Sequence, residues 1–96
     1  MYIILLKFSH NKSQAGAFME GHNQWIKRGF DDGIFLLAGS LQPGLGGSVI
    51  AHAETRAELE QRVQDDPFVA EDVVTAEILE IDAKKADDRL SFLLPA

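Results

Sequence analysis

An α+β domain of element order βαββαβ is predicted for this 96-residue chain by three observations. Two short apolar runs, YIILLKF at residues 2–8 and VVTAEILEI at 73–81, lie toward its two ends. Between them, IFLLAGS (34–40) and GSVIAHA (47–53) are joined by QPGLG, whose Pro-Gly pair marks a tight turn. The two remaining gaps carry apolar residues at three- and four-residue steps, the period of one helical face.

The first gap opens near Ser13, the expected cap. Ala15, Phe18, Met19, His22, Ile26, Gly29 and Phe30 form its stripe, with Trp25 beside it. Lys27 and Arg28 suit the negative end of the helix dipole and Gly33 supplies a terminator, whereas Asp31 and Asp32 fit that end poorly. The second helix begins at Thr55, because Thr55 and Glu58 match a capping box; Ala57, Leu59, Val63 and the Arg62 stem supply a short face ending before Asp66. Right-handed crossovers then give a four-stranded antiparallel sheet with two helices on one face, the ferredoxin-like plait.

The composition, 46% hydrophobic and 25% charged, is that of one globular domain. No apolar run approaches the roughly 20 residues that span a bilayer, and MYIILLKF lacks the basic flank and cleavage site of a signal peptide. A cytoplasmic address without membrane contact is expected. The absence of cysteine removes disulfides, thiolate metal sites and cysteine nucleophiles together. A net charge of −6 with scattered basic residues disfavours nucleic acid as a partner.

Two helices cover only one face of such a sheet, yet both alternating sets of strand one are apolar: Ile3 and Leu5 against Tyr2, Ile4, Leu6 and Phe8. Strand two repeats this, with Ile34, Leu36 and Ala38 opposed to Phe35 and Leu37. An exposed apolar face marks an interface, so a homodimer joined sheet to sheet is expected. The tail at 83–96, with its SFLLP, is then a candidate clasp; the alternative is a tail that covers its own subunit.

His22 interrupts the helical stripe directly after Gly21, which costs about 1 kcal/mol relative to alanine inside a helix. Another segment or a ligand passing close beside the helix would account for the glycine; the alternative is a tolerated surface glycine. An imidazole titrates near neutrality, so one held in an apolar pocket beside a carboxylate can accept and return a proton. On spacing alone it is equally a histidine satisfied by its neighbours, just as Asp66 in DDPF is sufficiently explained as the cap of a short turn with Pro67 at its first position. His10 and His52 have no motif. No HxxxH or HxH pair exists, so no metal site is assigned. GLGGS joins two strands rather than leading into a helix, which argues against phosphate binding. A nucleophilic triad through Ser40 lacks a nucleophile elbow, and strand three lacks the aromatics of an RNA-recognition module.

Taken together, YIILLKF, GHNQWI, LLAGSL, the glycine-rich hairpin, VIAHAET and DDPFV resemble the YCII-related (YciI-like) family over residues 2–82. The resemblance implies a plait of the dimeric α/β barrel type over 1–82, no cofactor, and a His-Asp pair that falls on His22 and Asp66. It implies acid-base chemistry, an elimination or isomerisation of the dehydrochlorinase or muconolactone-isomerase kind, on a small cyclic or aromatic metabolite. Phe68, Trp25, Ser40 and Gly39 are the candidate pocket walls. The rival expectation is a non-catalytic module that binds a metabolite or a partner protein in the same place.

Overall fold

The computed structural model describes residues 1–95. Seven main elements follow the chain: β1 (Tyr2–Phe8), α1 (Ala15–Asp31), β2 (Phe35–Leu41), β3 (Gly46–Ala51), α2 (Arg56–Gln64), α3 (Pro67–Ala70) and β4 (Val74–Glu80). The strands form one antiparallel sheet in the order β2-β3-β1-β4, with α1 connecting β1 to β2 and the α2–α3 segment connecting β3 to β4. This is the expected ferredoxin-like arrangement, and the short turn that Asp66 is predicted to cap is the helix α3.

Register sorts the side chains. Tyr2, Ile4 and Leu6 of β1 are buried with Val49 and Ala51 of β3, Phe35 of β2 and Val74 of β4. Trp25, Leu59, Val63, Phe68 and Val73 complete that core from the helical side. Successive strand residues point to opposite faces, so Ile3, Leu5, Ile50 and Leu79 share the other face, and Leu37, opposite Ile50, joins them.

Strand two departs from simple alternation. The pairing shifts between Phe35 and Leu37, so that Phe35 faces Ala51 while Leu37 faces Ile50, and Leu36 is the extra residue of a bulge. Phe35 and Leu37 therefore lie on opposite faces, against the expectation that they share one. The buried centre of α1 is also displaced from the expected stripe. Trp25 and Gly29 are buried, whereas Met19 and Phe30 are exposed. Trp25 is at the centre of the face rather than beside it, held by its Nε1–H donating to the Arg62 carbonyl (2.8 Å) and by edge-on packing against Phe35.

Helix ends show which local signals held. Thr55 and Glu58 form the reciprocal capping box of α2. Ser13 does not cap α1; it lies in a single 3-10 turn at Lys12–Gln14, and the capping position falls on Gln14 with no side-chain bond. The two acidic residues that sit badly at the end of α1 are compensated by cations. Asp32 accepts from the Arg62 guanidinium (3.0 Å), which also binds Glu54, and Asp31 accepts from Lys27 (2.6 Å). After β4 the tail makes a 3-10 segment at Asp88–Leu93, and Phe92 packs edge-on against His52 of the same chain with ring centroids 5.4 Å apart. Residue 96 of the predicted tail lies outside the described residues.

Candidate functional site

The Asp66–Pro67 step sets up the site. Asp66 is extended (φ −68°, ψ 120°) and Pro67 occupies the first position of α3, so the Asp66 side chain folds back to accept from the Phe68 backbone N–H at 3.0 Å. Four residues are too few to stand alone as a helix. The element persists because Phe68 is buried in the core and Val73 N–H donates to its carbonyl.

Helix α1 lies across this turn. A β-carbon at Gly21 would stand 3.1 Å from Pro67 Cγ, so the glycine permits the close approach of α1 to α3. That contact answers why a helix-weakening residue precedes His22. One residue on, the His22 ring lies flat on Phe68, with centroids 4.0 Å apart and planes within 5°, and it also stacks at 6.0 Å from Trp25. Its Nδ1 is 2.9 Å from Asp66 Oδ1. The Asp66 side chain is fully buried and that of His22 is 13% exposed. Asp66 Oδ1 thus accepts two hydrogen bonds, from the Phe68 backbone and from His22, while buried Oδ2 has no partner among the described residues.

The exposed part of His22 belongs to the wall of a cavity of about 340 Å³ between α1 and the sheet. Its apolar lining includes Leu6, Phe8, Ile26, Val49, Phe68 and Val74. Asn23 of α1 and Ser40 of β2 are polar lining residues, and Gly39, Gly46 and Gly47 contribute backbone. Gly46 is required where it stands: its φ is +135°, and a side chain there would strike the Leu6 carbonyl. The volume is within the range of roughly 300–1,000 Å³ usual for small-molecule pockets.

Of the residues singled out in the sequence, His22, Phe68, Ser40 and Gly39 line this cavity, and Asp66 stands directly behind His22. Trp25 is absent from the lining and serves as a buried support behind the imidazole. Asn23 and Met19 line the cavity unannounced by the sequence. The missed signal at Asn23 is a position one residue from His22 on an exposed helical surface, where asparagine attracts no notice. His10 is elsewhere, hydrogen-bonded to Asp72 at 3.1 Å in the open.

With the Nδ1 hydrogen donated to the carboxylate, the imidazole keeps the Nε2 lone pair available. Planar apolar walls on one side and a polar fringe on the other suit a small ring. The fold and the pair together describe an α+β plait with a histidine-bearing cavity beneath its helices.

Comparison with known proteins gives the narrower assignment. The YCII-related domain model matches residues 1–82, and the chain belongs to that family. Among solved structures the chain is similar to 5-chloro-2-hydroxyhydroquinone dehydrochlorinase from Burkholderia phenoliruptrix AC1100 in complex with 2,5-dihydroxybenzoquinone. That likeness has a TM-score of 0.67 at 13% identity and covers 84% of this chain and 93% of the other. A search of curated proteins found no match. No described helix is long and apolar enough to cross a membrane.

Proposed function

We propose that this chain is a small acid-base enzyme that abstracts a proton from an oxygen-bearing cyclic or aromatic metabolite and uses no cofactor. The observation that carries the reading is the 2.9 Å contact between His22 Nδ1 and fully buried Asp66, with the same imidazole forming part of a cavity wall. Asp66 fixes the tautomer, Nε2 takes the proton, and Phe68 and the cavity's aliphatic residues hold the ring. Membership of the YCII-related family and the fold shared with a dehydrochlorinase favour elimination over isomerisation. In such a step one hydroxyl proton of the ring moves to the carbon that bears chlorine, giving a keto tautomer; the imidazole then takes a second hydroxyl proton, chloride leaves with its bonding electron pair, and the ring becomes a quinone, so no external oxidant is needed.

The same reading takes the functional unit as a homodimer joined through the sheet face that bears Ile3, Leu5, Leu37, Ile50 and Leu79. Residues 1–82 form the enzymatic plait and 83–96 an appended tail. The contact of Phe92 with His52 favours a tail folded on its own subunit over a clasp on the partner.

The direct test is chloride release from 5-chloro-2-hydroxyhydroquinone, followed with the wild type and with His22→Ala. A positioned base contributes about 10²- to 10⁴-fold, and a loss of that size in kcat/KM is expected. Equal rates in the two proteins, or release no faster than in buffer, would remove the catalytic reading. Ring ligands that bind the cavity without turnover would then favour the non-catalytic module.

A further inference from the structure

The cavity grades from inside to outside. Asp66 is fully buried, the His22 side chain is 13% exposed, and Asn23 and Ser40 are exposed at the mouth on opposite walls, one on α1 and one on β2. Ser48, a further polar lining residue, is already committed, since its hydroxyl donates to the Ile4 carbonyl at 2.9 Å. None of the described side-chain hydrogen bonds uses Asn23 or Ser40, so both are available to an occupant. No lysine, arginine, aspartate or glutamate lines the cavity. The Lys12 ammonium lies 4.8 Å from the ring centroid of Phe8, outside the lining residues.

We propose that Asn23 and Ser40 form the rim that binds the oxygen substituents of the ring, and that the site selects rings without a carboxylate. This rests on the acid-base reading for the identity of the cavity, and deepens it by naming what the cavity admits. An asparagine amide both donates and accepts, and a serine hydroxyl does the same, so the rim matches hydroxyl and carbonyl oxygens alike. A carboxylate, in contrast, would be desolvated against aliphatic walls with no lysine or arginine among the lining residues to receive it. It would also approach a chain of net charge −6 whose nearest buried charge is Asp66. Asn23 and Ser40 are specificity residues in this scheme, whereas His22 is the catalytic one.

Methylhydroquinone and 2,5-dihydroxybenzoate share a hydroquinone ring and differ in carrying a methyl or a carboxylate. Anaerobic titration of the full chain with each, followed by NMR at the His22 imidazole and the Asn23 side-chain amide, reads the rim without turnover. Methylhydroquinone should shift both groups and bind at least tenfold more tightly than the carboxylate. Asn23→Leu should weaken methylhydroquinone about fivefold and Ser40→Ala about threefold, the scale of single neutral hydrogen bonds; both positions are exposed and neither substitution should alter the fold. Equal or tighter binding of 2,5-dihydroxybenzoate would overturn the charge selection, and its weakening in Lys12→Met would identify that ammonium as the group receiving the carboxylate. Unchanged affinity for methylhydroquinone in both rim variants would overturn the assignment of Asn23 and Ser40. Rim-dependent binding in a chain that releases no chloride would uphold the rim while removing the acid-base chemistry, so the two failures are distinct.

Discussion

Two histidine-aspartate pairs stand at the two ends of one short segment. His22 meets Asp66 just before α3, and His10 meets Asp72 just after it, at Nδ1–Oδ distances of 2.9 and 3.1 Å. The polar atoms are the same and the spacing nearly so. The surroundings differ completely: side-chain exposure is 13% and 0% in the first pair but 92% and 49% in the second. His10 shares Asp72 with the Ser9 hydroxyl in water, where such a pair contributes little. His22 is pressed against Phe68, its carboxylate is shut away from solvent, and its free edge opens on a cavity. What sets the first pair apart is the apolar groups around it, and a histidine-aspartate contact alone is an insufficient sign of a site.

The strongest way to break this contrast is to remove the environment and leave the polar atoms. Phe68→Ala keeps His22, Asp66 and the backbone N–H that caps α3, but deletes a buried ring. A loss of about 3–5 kcal/mol is expected in urea denaturation, as for other large-to-small aromatic core changes. Next comes the carboxylate. Asp66→Ala removes a cap and leaves the imidazole N–H without its acceptor, and about 2–4 kcal/mol should be lost. Its exposed counterpart His10→Ala should stay within about 0.5 kcal/mol of the wild type. Comparable losses in those two variants would show that burial does not separate the pairs.

Finer changes sharpen the comparison. The capping box anchors the opposite end of the α2–α3 segment, and the backbone and side-chain hydrogen bonds from Thr55 hold the Glu58 carboxyl below the usual glutamate range. A lowered folded value means that the contribution is present above the ordinary glutamate pKa and is lost as pH falls through the folded value. Thr55→Ala should destabilise by about 1 kcal/mol near neutrality, and the difference from wild type should shrink in acid, as measured by thermal melts across pH. Smallest of all is Gly21→Ala. Helix propensity favours it by about 1 kcal/mol, while the new methyl crowds Pro67, so stability should change by less than about 1 kcal/mol. The His22 Nδ1–H resonance should nevertheless move as the α1–α3 seam adjusts; an unmoved resonance would mean that the glycine has no part in placing the imidazole.

Local signals in the sequence were reliable where a single residue decides the geometry. Thr55 with Glu58, and Asp66 followed by Pro67, announced their helix starts because capping is a contact between near neighbours. The order and topology of the strands followed from alternation and from the Pro-Gly hairpin. What lay hidden depends on packing across the chain. The bulge at Leu36 is invisible in a run of apolar residues, since any of them could be the unpaired one. The buried face of α1 is hidden because Met19 and Phe30 look like core residues, and only the position of Phe35 against Trp25 and Gly29 fixes which face is inward. The meeting of His22 and Asp66 spans 44 positions and came from resemblance to a family, as neither residue signals the other. Asn23 carries no local sign at all, because a rim exists only once two walls have been brought together.

One carboxylate both starts α3 and orients the imidazole, through the same Oδ1. Its two duties cannot drift apart. A lineage that altered this acid would fray the turn that presents Phe68, and with it the surface on which the imidazole lies. Novelty in such a scaffold is thereby channelled to its mouth, where an amide or a hydroxyl can be exchanged freely while the histidine and its carboxylate below stay as they are.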